Sequence, residues 1–240
     1  MRPSFLLLIA SVLLLTSCRY FGGERVYGNG HVVTRDIPVD AFTRVHVSGG
    51  LDVQVMQAAT PGVQVQTDEN LLEYLDIYTD GNDLTIKEKQ GYNVIPSKDL
   101  VIRVSAPDFR ELDGSGSVNF ISTNTLASSG ELKLSISGSG NMNLQVNAPK
   151  ITSEISGSGS LDLKGSAADF DASISGAGSI RSFGLTTNNT RVDLSGSADA
   201  EVSASKSLDI EISGSGSVQY RGNPSVKQRV SGSGSIEKVG

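Results

Sequence analysis

Ile136-Ser137-Gly138-Ser139-Gly140-Asn141-Met142 returns as Ile155-Ser156-Gly157-Ser158-Gly159-Ser160-Leu161, and again as Ile174-Ser175-Gly176-Ala177-Gly178-Ser179-Ile180. Aligned on its Ser-Gly core, the motif starts at Asp113, Ser137, Ser156, Ser175, Ser195, Ser213 and Ser231. A near-constant period of about 20 residues marks a solenoid, in which each repeat buries its apolar side only by stacking on the next. An aliphatic residue precedes every copy: Leu112, Ile136, Ile155, Ile174, Leu194, Ile212 or Val230. A second apolar column follows the glycines at Val118, Met142, Leu161, Ile180, Ala200, Val218 and Ile236.

Extended chain turns alternate side chains to opposite faces, so the aliphatic, glycine, glycine and apolar positions share one face, expected to be inward. The glycine columns are Gly114 and Gly116, Gly138 and Gly140, Gly157 and Gly159, Gly176 and Gly178, Gly196 alone, Gly214 and Gly216, and Gly232 and Gly234; Ala198 stands in the fifth copy's second place. Hydrogen-sized side chains let the chain turn sharply, and glycine also accepts positive φ. Between corners, Met142, Leu144 and Val146 alternate with polar residues, and Asn147-Ala148-Pro149-Lys150 reads as a turn. The pattern predicts an all-β, single-domain, right-handed parallel β-solenoid (β-helix) with about 18–20 residues per coil, the hand following from the preference of parallel crossovers. An antiparallel sandwich would explain the alternation but not the fixed columns.

The predicted domain covers residues 26–240, with the repeats in 113–240 and irregular early coils plus a cap in 26–112. In the latter, Val45, Val47, Leu51, Val53 and Val55 alternate through Ser48-Gly49-Gly50, a worn copy of the same corner. The run Asp68-Glu69-Asn70-Leu71-Leu72-Glu73-Tyr74-Leu75 reads as either a short helical turn or a bulged strand. The stretch around Asp80-Gly81-Asn82 reads as either a hairpin or a coil corner.

Residues 1–17 read as a signal peptide: Arg2, an apolar run from Phe5 to Leu15, then small residues. The run is too short to span a hydrocarbon core of ~30 Å as a helix. Leu15-Thr16-Ser17-Cys18 resembles a bacterial lipobox, which implies cleavage before Cys18, its acylation (palmitate-type chains) and a lipoprotein held on a membrane by those chains. Residues 18–25 then form a tether. Arg19 is not the aspartate that marks inner-membrane retention in enterobacterial lipoproteins, and by that resemblance the cell outer membrane is favoured.

Composition narrows the chemistry. With 20 Lys+Arg against 26 Asp+Glu and a formal charge of −6, the 240-residue chain lacks the basic face that nucleic-acid binding needs. A single Cys and 2 His leave no intrachain disulfide framework and no multi-cysteine or histidine metal cage. No cofactor is expected: the Ser-Gly runs recur without the strand–loop–helix setting of a nucleotide site, and serine occupies the places where a calcium-binding roll carries Asp.

The order of these features resembles the head GIN domain family, auto-transporter adhesins of bacterial envelopes, from about Gly28 to Ile236. The resemblance rests on Phe42-Thr43-Arg44-Val45-His46-Val47-Ser48-Gly49, on Asp68-Glu69-Asn70-Leu71, on the Ser-Gly-Ser-Gly series and on Ser213-Gly214-Ser215-Gly216-Ser217-Val218-Gln219-Tyr220-Arg221-Gly222-Asn223-Pro224. It implies a β-helical, envelope-exposed domain, and it brings no catalytic residue with it.

The residues read the same way. Asn119, Asn143, Asp162, Arg181, Glu201, Gln219 and Glu237 would form one outward column, in which Asp162, Arg181 and Glu201 make a ladder of weak ion pairs rather than a catalytic carboxylate pair. His31 and His46 face outward without a recognisable partner, and no serine sits in a nucleophile elbow. Tyr92 and Tyr220 are the candidate aromatic platforms. The expectation is a non-enzymatic adhesion or binding module whose partner is a glycan or a surface protein. The alternative is an envelope spacer or assembly partner that pairs through the terminal segment from Ser231 to Val239; an enzyme acting on polysaccharide is far less supported.

Overall fold

The computed structural model of the chain describes residues 23–240. The signal segment 1–17, Cys18 and tether residues 18–22 lie outside the described residues. Glu24 and Arg25, expected to end the tether, already belong to the strand Glu24–Tyr27, which pairs in parallel with Tyr92–Ile95.

The repeats form a β-solenoid of about 7 turns. Each turn carries two parallel ladders that meet at a glycine corner. On one side Arg44–Gly49, Glu111–Gly116 and Glu131–Gly138 pair in succession, and the ladder ends with Ser207–Gly214 and Ser225–Gly232. On the other side lie Asp52–Gln57, Asn119–Ser122, Asp199–Ser203, Ser217–Arg221 and Ser235–Lys238. In the middle turns the strands Asn141–Gly157, Ser160–Gly176 and Ser179–Gly196 run through both ladders without a break. The alternating aliphatic side chains fill the space between the ladders: Leu112, Val192 and Ile210 have no exposed surface. Burying such a side chain is worth roughly 1.5–3 kcal/mol, and stacking is the only way a coil this thin achieves it.

Two features of the corner depart from the sequence-based expectation. The first concerns register. Gly114 does not pair with Gly138; it lies between Val47 and Ile136, in the aliphatic column, while Gly116 pairs with Gly49 and Gly138. The first copy is therefore offset from the second by 22 residues. Val118 takes the place of the second glycine and Phe120 that of the second apolar residue, opposite Met142. Volume explains the slip: a Cβ on Gly114 would sit 3.1 Å from the Phe120 ring, so the glycine leaves room for the phenyl group.

The second departure concerns direction. Only the second column, from Gly140 through Gly216, is buried inward. The first is half-exposed or exposed and adopts positive φ: +99° at Gly116, +123° at Gly138 and Gly157, and +131° at Gly176. A Cβ on Gly116 would lie 2.7 Å from the carbonyl oxygen of Gly49, its stacked neighbour. That carbonyl is in use, because Ser117 N–H donates to it at 2.8 Å and the same bond recurs up the stack from Ser139 to Gly116 and from Ser158 to Gly138. The corner keeps the ladder continuous, and glycine is required because both the backbone angle and the space forbid a side chain.

The head end, before the regular repeats, is interleaved. Arg44–Gly49 and Asp52–Gln57 form one complete corner, yet the strands stacked beneath them, Asp83–Glu88 and Val101–Ala106, come later in sequence. Antiparallel strands close this end: Leu75–Asp80 on Asp83–Glu88, Gly62–Asp68 on Val101–Ala106, and Val32–Ile37 outermost. Asp80-Gly81-Asn82-Asp83 is thus a hairpin, with Gly81 at φ +58°. Residues Glu69–Tyr74 form a 3-10 helix.

Candidate functional site

Part of the outer wall consists of side chains that satisfy one another. In register up the first ladder stand Asp83, Arg44, Glu111, Lys133, Thr152, Asp171, Arg191, Asp209 and Lys227, charges of alternating sign broken once by Thr152. Arg44 grips Asp83 with two nitrogens at 2.5 and 2.6 Å, and that hydrogen bonding holds the Asp83 carboxyl far below the usual carboxylate range. Lys150 reaches Asp171 at 3.0 Å and Lys227 reaches Asp209 at 3.5 Å. His46, expected to have no partner, stands between Asp83 (Nε2, 3.1 Å) and Asp113 (Nδ1, 3.4 Å), and His31 meets Glu69 at 3.0 Å. His46 is held within a cross-strand pair, and His31, the residue before Val32–Ile37, is tied to the 3-10 helix.

Asp162, Arg181 and Glu201 stack in register as expected, but they do not form the expected ion pairs: Asp162 meets Lys164 at 3.9 Å instead. Ile121, not Asn119, precedes Asn143 in that column, because of the slipped first copy. Asn119 instead joins a polar run along the corner, donating to Asp52 at 2.7 Å and accepting from Asn141 at 2.8 Å. Of the two aromatic candidates, Tyr220 is half-buried against the core, and Tyr92 packs edge-on to Tyr74 with ring centroids 4.8 Å apart. Among the described residues no cluster of His, Cys, Asp and Glu is arranged to hold a metal, and no helix is long and apolar enough to cross a membrane.

The motif Asp68-Glu69-Asn70-Leu71 acts as a clip at the head end. Asp68 is fully buried and accepts from Gly30 N–H (2.7 Å), Ser97 N–H (2.8 Å) and Ser97 Oγ (2.7 Å). The Ser97 hydroxyl is the main reason its carboxyl lies below the ordinary value, against the opposing effect of burial. Asn70 donates to Tyr27 O and accepts from Asn29 N–H, both at 2.9 Å. The N-terminal strand, the 3-10 helix and the loop at Ser97 are joined through these two side chains.

The principal concavity lies on the outer side of the interleaved head. It encloses about 700 Å³, within the range of small-molecule pockets, roughly 300–1,000 Å³. Pro38, Val39 and Pro61 form an apolar wall, Met56 lies within it, and Asp36, Gln64 and Arg103 bring polar groups. Met56 is 44% exposed although its strand neighbours on that face, Asp52 and Gln54, are polar. Arg103 donates to the side-chain oxygens of Gln64 and Gln66 at 3.2–3.5 Å, and no carboxylate among the described residues lies within ion-pairing reach of it. Asp36 is engaged by Gln64 Nε2 at 2.9 Å. None of these residues was singled out from sequence. The available signal was the alternation of Val53 and Val55, which turns Met56 to the polar side.

The family model described as "putative auto-transporter adhesin, head GIN domain" matches residues 41–224. The chain belongs to the head GIN domain family. Among solved structures, a putative adhesin from Parabacteroides merdae is similar at 28% identity and TM-score 0.74, with 91% of this chain and 100% of that chain covered. A putative lipid binding protein from Parabacteroides distasonis is similar at 25% identity and TM-score 0.77, covering 90% of this chain and 100% of that one. A putative adhesin from Bacteroides fragilis shares the fold, with 21% identity, TM-score 0.83, and 89% and 100% coverage. No curated protein matches the chain. The matched span includes the glycine corners from Gly49 to Gly216 and the Asp68 clip, while the groove also draws on residues 36–39, which precede it.

Proposed function

We propose that this head GIN domain protein is a non-enzymatic binding module of the cell envelope, of the adhesin class, held at the outer membrane by acyl chains on Cys18. The observation that carries the reading is the groove at the head: a concave site with an exposed Met56 beside an Arg103 that is held by neutral amide oxygens and has no carboxylate partner among the described residues. Rigid stacking supports it, since a ligand site on continuous ladders costs little to order on binding. Family membership supports the envelope setting, and the Leu15-Thr16-Ser17-Cys18 stretch supports the anchor. The test is an array of glycans, matrix proteins and lipids probed with the full chain and its Met56→Lys variant. Binding that Met56→Lys weakens is the expected result; a background-level signal on every class would sink the reading.

A second reading, an assembly partner in the envelope, is favoured by the strand Ser225–Gly232, exposed along its whole length and paired on one side among the described residues. Crosslinking in intact cells that recovers only uncoupled monomer would remove its support.

A further inference from the structure

The geometry points to a single-chain anionic lipid, a long-chain fatty acid, as the ligand of the head groove, its hydrocarbon against Met56, Pro38, Val39 and Pro61 and its carboxylate on Arg103. The inference rests on the reading of the protein as a binding module and names what that site takes.

Three observations converge on this chemistry. The first is the wall. Two prolines and a valine line it, and proline offers no N–H, so this side presents hydrocarbon with few competing backbone donors. Met56 is unbranched and adaptable, and its exposed side chain gives an apolar ligand surface to cover and remove from water.

The second is the sign and state of the charge. Arg44, Arg110 and Arg191 are each paired with an aspartate at 2.5–2.9 Å. Arg103 has only neutral amide oxygens, and its planar donor fork suits a carboxylate in bidentate fashion. Gln64 and Gln66 hold the guanidinium across the strands, so little side-chain freedom remains to be lost when an anion arrives. Asp36, the acidic group of the groove, is occupied by Gln64 and stands on the far side of that residue from Arg103, with Asp36, Gln64 and Arg103 on three successive strands.

The third is what the lining does not contain. Pyranose recognition relies on aromatic platforms and dense paired donors and acceptors, and no Phe or Tyr lines the groove. An apolar wall and a cation in one concavity match a molecule with a hydrocarbon tail and an anionic end. Beyond the rim, Ile121 is 51% exposed on the adjoining strand and extends the apolar track for a longer chain.

The experiment uses the full chain carrying Cys18→Ala, which removes the only thiol and with it any acyl group of the protein's own. Calorimetric titration and native mass spectrometry are run with palmitate as monomer, with its methyl ester, with butyrate, and with vesicles of phosphatidylethanolamine and phosphatidylglycerol. Palmitate should bind one to one. The methyl ester should bind about tenfold more weakly or worse, for want of the charge-assisted pair, and butyrate should not bind. Arg103→Gln should cost about tenfold in palmitate affinity and Met56→Lys should abolish binding, both with unchanged circular dichroism because both side chains face solvent. Arg181→Gln, on the same face but outside the groove, should leave affinity unchanged. Equal affinity of the Arg103→Gln variant, equal binding of butyrate, or capture by vesicles without monomer binding overturns the inference. A glycan or protein ligand found on the array, and indifferent to Arg103→Gln, would leave the binding-module reading standing while removing the fatty acid from it.

Discussion

At the scale of single residues, the two glycine columns do different work and should respond differently to the same methyl group. Gly157 sits at φ +123°, and a Cβ there would run into the Gly138 carbonyl that forms a ladder bond. Gly157→Ala should therefore cost roughly 3 kcal/mol, about 6–12 °C of melting temperature. In the inward column a Cβ on Gly178 would meet a side-chain methyl of Ile155 at 2.9 Å and the Gly159 oxygen at 2.8 Å, and the native fold already accommodates Ala198 at that position one coil on. Gly178→Ala should cost half as much or less; a larger loss than at Gly157 in parallel thermal melts would refute the division of labour. The core also holds a mismatch. Ser153 is 1% exposed between Leu134 and Ala172, and its hydroxyl has no partner. Ser153→Ala removes an unsatisfied group without opening a cavity and should stabilise by about 1 kcal/mol, read as a rise of roughly 2–4 °C.

At the scale of elements, the head end is held by carboxylate chemistry where the repeats are held by aliphatic stacking. Because Asp68 titrates lower in the folded protein than in the unfolded chain, its contribution is fully present above its unfolded pKa, about 3.9, and is lost as pH falls through the lower folded value. Thermal melts between pH 2 and 7 should show stability falling on the acid side. Asp68→Asn should melt lower at pH 7 and show a shallower acid slope; an unchanged slope would remove Asp68 from the clip. The repeats were legible because Ile, Gly and Ser recur at fixed places and each has one physical reason to do so. The slip of the first copy was not, since Gly114-Ser115-Gly116 is spelled like Gly138-Ser139-Gly140 and only the bulk of Phe120 tells them apart. The partners of His46 and the lining of the groove come from strands joined by long-range register, and no local pattern near Arg44–Gly49 announces that Asp83–Glu88 lies beneath it.

At the scale of the whole molecule, one rigid stack carries a groove at its head, and the described chain begins at the same end, with Gly23 only a few residues past Cys18. In the lipid-anchored reading, Cys18→Ala abolishes fatty-acid labelling and releases the protein from the membrane fraction. Labelling that persists in the variant would refute the anchor without touching the fold. Salt should matter little to stability, because the exposed pairs of the outer ladder each contribute about 0–1 kcal/mol against the aliphatic stacking beneath them.

The interleaved head also sets the order in which the molecule can be completed. The corner formed by Arg44–Gly49 and Asp52–Gln57 lies between coils supplied by residues 83–106 and 111–122. A chain emerging N-terminus first lacks a complete neighbour for that corner until Ala106 has followed, and lacks the second until Ser122, about half of its 240 residues, is out. Loop closure over that distance precedes the contacts that repay it. The corner delivered first thus waits for about half of the chain before it gains both of its stacked neighbours.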